Sequence, residues 1–440
     1  MSDKPATPQP GPTGESVHSD LGAPTAPQQF FRSRWVPTPP HVRDLGPAAG
    51  LPAGFRAGAV ACGIKPSGNP DLGILLCDAE RPVSAARFTS TATPAAPVLV
   101  SQQRCDLNSL SAVLVNSGCA NAATGRPGEE AASKTQGAVA MALGVREAQV
   151  ALASTGGISQ DLPVEKVMKG IHALSGSLRR DGDGEFQRAI QTTDAFEKRA
   201  CLEVTLSAGT VKLNAQCKGA GMISPNFATM LCFVQTDAAI EVETAELLLG
   251  VCVKRSFDRC SVDGQLSTND TAILMCSGQS GVKIEPESED ELRFGEALDA
   301  LLRQLAILMV ADGEGAKRIA RVVATGGDMP SVATAARAVA NSPLVKAALH
   351  GGDPNWGRIV QAVGGALPGQ SPLALDIFIE DTQVCSAGTA IAHEQAVLAK
   401  AVSRPEVEYL IKLPGEGAET EVFFSDLSHE YVSINADYTT

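Results

Sequence analysis

The stretch Lys218-Gly219-Ala220-Gly221-Met222-Ile223-Ser224-Pro225-Asn226-Phe227-Ala228-Thr229-Met230-Leu231 carries the residues best able to do chemistry. A lysine and two glycines lead into a Pro-Asn turn, and a threonine then stands at the head of an apolar run. A threonine in that place is ordinarily a β-former and nothing more. The sharper reading makes it a nucleophile that needs a base. If the Thr229 hydroxyl cut the Ala228–Thr229 bond, the freed α-amine would lie beside that hydroxyl and serve as the base. The reference pKa of an α-amine, about 7.7–8.0, suits proton transfer near neutral pH. Conventional triads fit less well, because none of the six histidines stands in a G-x-S-x-G or Cys-His setting.

Four further polar, glycine-rich clusters interrupt the apolar elements. Asn116 to Gly125 follows a strand and precedes a helix, as an ordinary capped turn would. Ser154-Thr155-Gly156-Gly157-Ile158 also follows a strand; adjacent N–H groups in such a turn form an oxyanion hole, although a lone S-T-G-G is more simply a connection. Neither fits a phosphate-binding fingerprint. Ser261-Val262-Asp263-Gly264-Gln265-Leu266-Ser267-Thr268-Asn269-Asp270-Thr271 offers side chains that either cap turns or line a pocket. In Lys346 to Ile359, Pro354 is placed to open a helix, with Trp356 and Arg358 serving packing and a salt bridge by default. The last residues, from Ser433, read as a strand followed by polar positions.

The elements that must position these clusters follow from hydrophobic period. Short apolar runs at Val113–Val115, Gln149–Leu152, Val211–Leu213 and Leu231–Val234 are bounded by Gly, Asn, Asp or Ser, as strands are. Helical periods cover Glu129–Leu143, Val164–Leu174, Glu241–Phe257, Glu289–Val310, Ser331–Ala340 and Ala390–Val402. Asp161 and Ser331 are candidate N-caps, and Gly144 sits where a C′ glycine belongs. Strands and helices alternate throughout, so the class is α/β or α+β, without internal repeats. Residues 1–48 hold ten of the 27 prolines and read as a disordered tail. A boundary is expected near Gly326-Gly327-Asp328-Met329-Pro330.

Charge narrows the partners. The net charge is −13, with +2 carried by residues 1–228 and −15 by 229–440. With so little basic excess, nucleic acid is excluded as an expected partner. No apolar run approaches the roughly 20 residues of a membrane span, and the N-terminus lacks a secretory h-region. The eleven cysteines contain no C-x-x-C pair, so they are expected to be buried free thiols in a reducing cytoplasm, with neither a disulfide framework nor a metal site.

Taken together, the clusters resemble the ArgJ family of ornithine acetyltransferases, also called glutamate N-acetyltransferases, from about Pro52 to Thr440. Further matching segments are Gly54-Phe55, Gly63-Ile64-Lys65, Phe88-Thr89, Ala95-Ala96-Pro97-Val98 and Asp353-Pro354-Asn355-Trp356-Gly357-Arg358. The resemblance implies an αββα sandwich over 49–326, cleaved into an α chain ending at Ala228 and a β chain starting at Thr229. A smaller α/β domain over 327–440 would complete the substrate site. It implies acetyl transfer from N2-acetylornithine to glutamate through Thr229, with Thr155 and Gly156 as the oxyanion hole. It places Lys218, Thr229, Glu314, Asn435, Thr440 and one of Thr192 and Thr193 at the substrate. No cofactor is implied, acetyl-CoA is left open as a co-substrate, and an α2β2 assembly is expected. An N-terminal-nucleophile amidase and a silent amino-acid-binding paralogue are the alternatives. The chain departs from the family pattern at Gly157, Ser159, Ala195, Gln265 and Leu266.

Overall fold

The computed structural model describes residues 30–224 and 230–437. Strands and helices are numbered along the chain. The four-stranded sheet has the order β2 (Phe55–Val60), β3 (Leu72–Cys77), β5 (Ala112–Cys119), β6 (Val150–Gly157). The six-stranded sheet runs β1 (Val42–Asp44), β7 (Lys198–Leu206), β8 (Gly209–Lys218), β9 (Leu231–Thr236), β12 (Thr271–Cys276), β4 (Val83–Phe88). Strands β3, β9 and β12 are buried at every position, as expected of strands covered on both faces.

What covers them is legible in the core. Phe55, Leu75, Val113 and Ala151 of the smaller sheet meet Leu231, Phe233, Ile273 and Met275 of the larger one, and Phe186 and Ile190 of α4 (Asp183–Ile190) complete that inner layer. Helices α1 (Ala96–Arg104), α2 (Gly125–Leu143) and α3 (Val164–Ser175) cover the outer face of the smaller sheet. Helices α5 (Val242–Arg255) and α6 (Glu289–Ala311) cover that of the larger. The result is an αββα sandwich. A short parallel pair, β10 (Ala239–Ile240) with β13 (Lys283–Ile284), lies beside it.

A seven-stranded sheet forms the second body: β11 (Cys260–Ser261), β19 (Glu419–Ser425), β14 (Ile319–Thr325), β18 (Glu406–Lys412), β15 (Asp376–Ile379), β16 (Thr382–Ser386), β17 (Thr389–Ala390). Helices α7 (Met329–Ala340), α8 (Pro343–Gly351), α9 (Trp356–Ala366) and α10 (Gln395–Ala401) share its core. The last helix is α11 (His429–Asp437). Glu421 on β19 joins the two bodies, accepting from Arg259 at 2.9 Å, Arg303 at 2.5 Å and Arg321 at 2.6 Å.

Several expectations are corrected. The tail does not extend to residue 48: Phe30, Phe31, Trp35 and Val36 are buried, Trp35 packs 5.7 Å from Phe423, and β1 pairs with β7. Composition averaged over 48 residues hid this apolar cluster. The boundary near 326 is also displaced, because β14 and even Cys260-Ser261 belong to the second sheet. Pro163, not Asp161, occupies the cap of α3, and Asp328 caps α7 by accepting from Ser331, which is already inside the helix. Pro354 does not open α9, which starts at Trp356 with Asn355 as its cap, so the proline stands one residue before the cap. The segment 390–402 is helical only from Gln395, and the C-terminal segment is a helix where a strand was read. Gly144 does take the left-handed conformation, φ 70°.

Candidate active site

Two glycines meet where β5 and β6 run parallel. Gly118 (φ 96°) stands opposite Gly156 (φ 130°), and the register shifts at Gly118/Cys119. A Cβ on Gly156 would lie 2.4 Å from the Gly118 carbonyl carbon and 2.6 Å from the Cys119 nitrogen, so no other residue fits without parting the strands. Ser154-Thr155-Gly156-Gly157 is therefore the end of β6 itself, not a turn beyond it.

Thr155 is buried, and its hydroxyl accepts from the Lys218 ammonium at 3.2 Å. Lys218, the last residue of β8, also donates to the Thr192 hydroxyl at 3.0 Å and stands 4.0 Å from Asp194 Oδ2. Thr192, rather than Thr193, is thus the threonine whose hydroxyl joins the lysine. Asp194 Oδ1 accepts from Gly219 N at 2.8 Å and from Lys198 Nζ at 2.7 Å, while Oδ2 accepts from Thr192 N at 3.0 Å. Lys198 bonds Asp312 as well, and Asp312 accepts from Ala195 N at 3.1 and 3.2 Å through its two oxygens.

Burial disfavours every charge in this cluster, and the pairing decides which survive. Asp194 is held well below the usual carboxylate range, Lys198 and Lys218 outweighing its burial. Lys198 stays well above its ordinary value because Asp194 and Asp312 outweigh its desolvation. Asp312 is pushed up to about 6, burial and Asp194 prevailing over Lys198. Burial draws the Lys218 ammonium below its ordinary value, with Asp194 opposing. Lys65, whose side chain packs where Gly118 has no Cβ, is brought down to about 8 by burial, with Asp71 opposing. Asp71 folds the 62–65 loop by accepting from the backbone nitrogens of Cys62, Gly63, Ile64 and Lys65.

Glu314 leaves the turn after α6, with its N–H donating to Ala220 O at 3.1 Å. Gly221 gives it room: a Cβ there would lie 2.7 Å from Glu314 Oε1. Asn435 of α11 donates to Glu314 Oε2 at 2.6 Å. The charge of Glu314 also acts on Lys218. An ammonium lined by hydroxyls and a carboxylate held by an amide therefore share one site.

The cluster read as turn caps or pocket lining fastens the chain on both sides of residues 225–229. Asp263 accepts from Met222 N at 2.7 Å and Ile223 N at 2.9 Å, and Tyr431 OH donates to it at 3.2 Å. Asp270, fully buried and with its carboxyl pushed up by that burial, accepts from Met230 N at 2.9 Å. Ala228, Thr229 and Thr440 lie outside the described residues. Asp194, Lys198 and Asp312 have no individual signal in the sequence beyond charges at a strand end and in a glycine-bounded turn, whereas Asp263 and Asp270 belong to the 261–271 cluster noted there. Among the described residues no cluster of His, Cys, Asp and Glu is placed to hold a metal ion, and no helix is long and apolar enough to cross a membrane.

The model of the ArgJ family matches residues 56–440. The chain belongs to the ArgJ family. It is 38% identical over 392 residues to the arginine biosynthesis bifunctional protein ArgJ of Symbiobacterium thermophilum, covering 88% of this chain and 98% of that protein. With the ArgJ of Rhodopirellula baltica it shares 41% over 399 residues, 89% of this chain and 96% of that one. Among solved structures, the ArgJ of Bacillus halodurans is 32% identical with a TM-score of 0.39, over 43% of this chain and 98% of that chain. The ornithine acetyltransferase of Mycobacterium tuberculosis, solved with ornithine, is 34% identical with a TM-score of 0.39, over 43% of this chain and 100% of that one.

The departures from the ArgJ pattern now have places. Ser159 adopts φ 62°, in the left-handed region. A side chain on Gly157 would press on the end of Gln160, 2.6 Å away. Gln265 and Leu266 are exposed, while Ser267, Asn269 and Asp270 behind them are buried.

Proposed function

We propose that this chain is an ArgJ-type glutamate N-acetyltransferase of arginine biosynthesis, passing the acetyl group of N2-acetyl-L-ornithine to L-glutamate through an ester on Thr229. The observation that carries the reading is the mixed-charge site: Lys218 among the Thr155 and Thr192 hydroxyls, with Glu314 held by Asn435. Acetylornithine presents a carboxylate and a δ-ammonium, and these two groups answer those two needs. Glutamate carries a second carboxyl where ornithine has its ammonium, so that end of the pocket must accept either. Thr440 adds a hydroxyl to the substrate-binding set, and Thr192, which bonds Lys218, is taken as the threonine of the Thr192-Thr193 pair.

In this scheme Thr229 first cleaves the Ala228–Thr229 bond, and the two fragments stay together, assembling as α2β2 in the cytoplasm. The new α-amine takes the Thr229 hydroxyl proton as the oxygen attacks the acetyl carbonyl. Thr155 and Gly156 stabilise the oxyanion, where one donor is typically worth about 2.7–4 kcal/mol. Ornithine leaves with the proton, the α-amine of glutamate attacks the ester, and Thr229 is restored. The cycle as written draws on no cofactor. Incubation with N2-acetylornithine and glutamate tests the scheme. Acetylglutamate formed in step with ornithine is the expected result, whereas stoichiometric acetate would make the protein an amidase and overturn the transfer reading.

A further inference from the structure

Behind the groups that face substrate lies a second, enclosed set of charges. The side chains of Lys198, Asp194 and Asp312 have no exposed surface at all. Each is bonded to an element that presents a substrate-facing residue of the proposed site. Asp194 holds the backbone nitrogens of Thr192 and of Gly219, the neighbour of Lys218. Asp312 holds Ala195 N and begins the Asp312-Gly313-Glu314 turn. Lys198, paired with Cys217 across β7 and β8, bonds both carboxylates. With Lys218 the cluster contains two cations and two anions.

This balance bears on Lys218. An ammonium buried 4.0 Å from a carboxylate is strongly drawn to it, because low dielectric strengthens the attraction. Lys218 nevertheless gives its hydrogen bonds to the Thr155 and Thr192 hydroxyls, while Lys198 takes the close contact with Asp194. We propose that Lys198 is a positioning residue for acetyl transfer: by occupying Asp194 it keeps Lys218 turned toward the substrate carboxylate, and by bonding Asp312 it fixes the spacing between Lys218 and Glu314. The inference rests on the reading of Lys218 as the carboxylate partner.

Without Lys198, Lys218 collapses onto Asp194 and its charge is spent inside the protein. Both substrates carry the α-carboxylate, so both lose affinity; the Thr155 hydroxyl gives up its bond from Lys218, but the β6 backbone, with the Gly156 N–H, is held by its pairing with β5. The test is steady-state transfer by the full, self-cleaved protein, comparing wild type with Lys198→Met. The expected result is a rise of about tenfold in KM for N2-acetylornithine and for glutamate, with kcat changed less than threefold. A purely structural role would lower kcat with the active fraction and leave KM alone, and that outcome, or unaltered kinetics, overturns the proposal. The paired variant Lys198→Met/Asp312→Asn keeps the cluster neutral and is expected to show the same split. Failure of both variants to fold would make Lys198 structural and equally overturn it. A wild-type protein that transfers no acetyl overturns the functional reading itself, visible before any variant is compared.

Discussion

Replacing Gly156 with alanine tests the oxyanion geometry and the strand junction at once. The new Cβ would sit 2.4 Å from a backbone carbon and 2.6 Å from a backbone nitrogen, neither of which is the free end of a side chain. Relief requires β5 and β6 to part by about 1 Å, since carbon contacts are comfortable near 3.5 Å. Overpacking of this kind costs about 1–3 kcal/mol, and a non-glycine residue held at φ 130° adds about 1–3 kcal/mol. The sum, about 2–6 kcal/mol, is a large part of the 5–15 kcal/mol that typically holds a domain together. Gly144→Ala is the control: its φ is 70° but nothing lies within 4 Å of a Cβ there, so only backbone strain is added, about 1–2 kcal/mol. Urea unfolding of both variants separates the contact cost from the strain cost. The acetylation rate of Gly156→Ala should fall about 10²–10³-fold as the proposed oxyanion donor is displaced, while Gly144→Ala keeps its rate. A Gly156→Ala protein as stable as Gly144→Ala, with acetylation within tenfold of wild type, would mean that neither the strand junction nor the oxyanion site depends on glycine there.

Two further outcomes follow from local strain and charge. Ser159 adopts φ 62°, so Ser159→Gly should stabilise the protein by about 0.5–1 kcal/mol in urea unfolding, relief of the left-handed strain outweighing glycine's greater unfolded entropy; a loss of stability would contradict this. Burial opposes ionisation of Glu421, but Arg303, Arg321 and Arg259 overcome it and bring its carboxyl down to about 2. A carboxyl depressed in the folded state stabilises the protein above its unfolded pKa of about 4.3, and that contribution is lost as pH falls toward 2. Glu421→Gln should therefore cost about 3 kcal/mol at pH 7, and the gap to wild type should narrow steadily from pH 5 to pH 3. A gap unchanged by pH would mean that the carboxylate charge does not join the two bodies.

What sequence could tell depended on the range of the interaction involved. The strands at Val113, Val211 and Leu231 and the long helix from Glu289 announce themselves by local period, and the structure has them. The family's motifs carried Thr155, Lys218, Glu314 and Asn435, which the fold brings to one place. The cluster behind them is non-local: Asp194 and Lys198 are four residues apart in the loop leading into β7, but Asp312 joins them from the end of α6, and no short window of sequence holds all three. The same limit explains β1, whose three residues form a strand only because β7 offers an edge. The C-terminal segment misled for a different reason, since Val432 and Ile434 alternate with polar residues as in a strand, yet α11 holds them in a helix whose Tyr431 and Asn435 reach Asp263 and Glu314.

The proposed chemistry turns on Thr229 as a self-generated N-terminal nucleophile. The most direct measurement is the intact mass of the purified protein under denaturing conditions, before and after brief exposure to N2-acetylornithine without glutamate. Two chains are expected, ending at Ala228 and beginning at Thr229, with one acetyl group added to the second and removed again when glutamate is supplied. A single uncleaved chain of 440 residues that gains no acetyl group would contradict it.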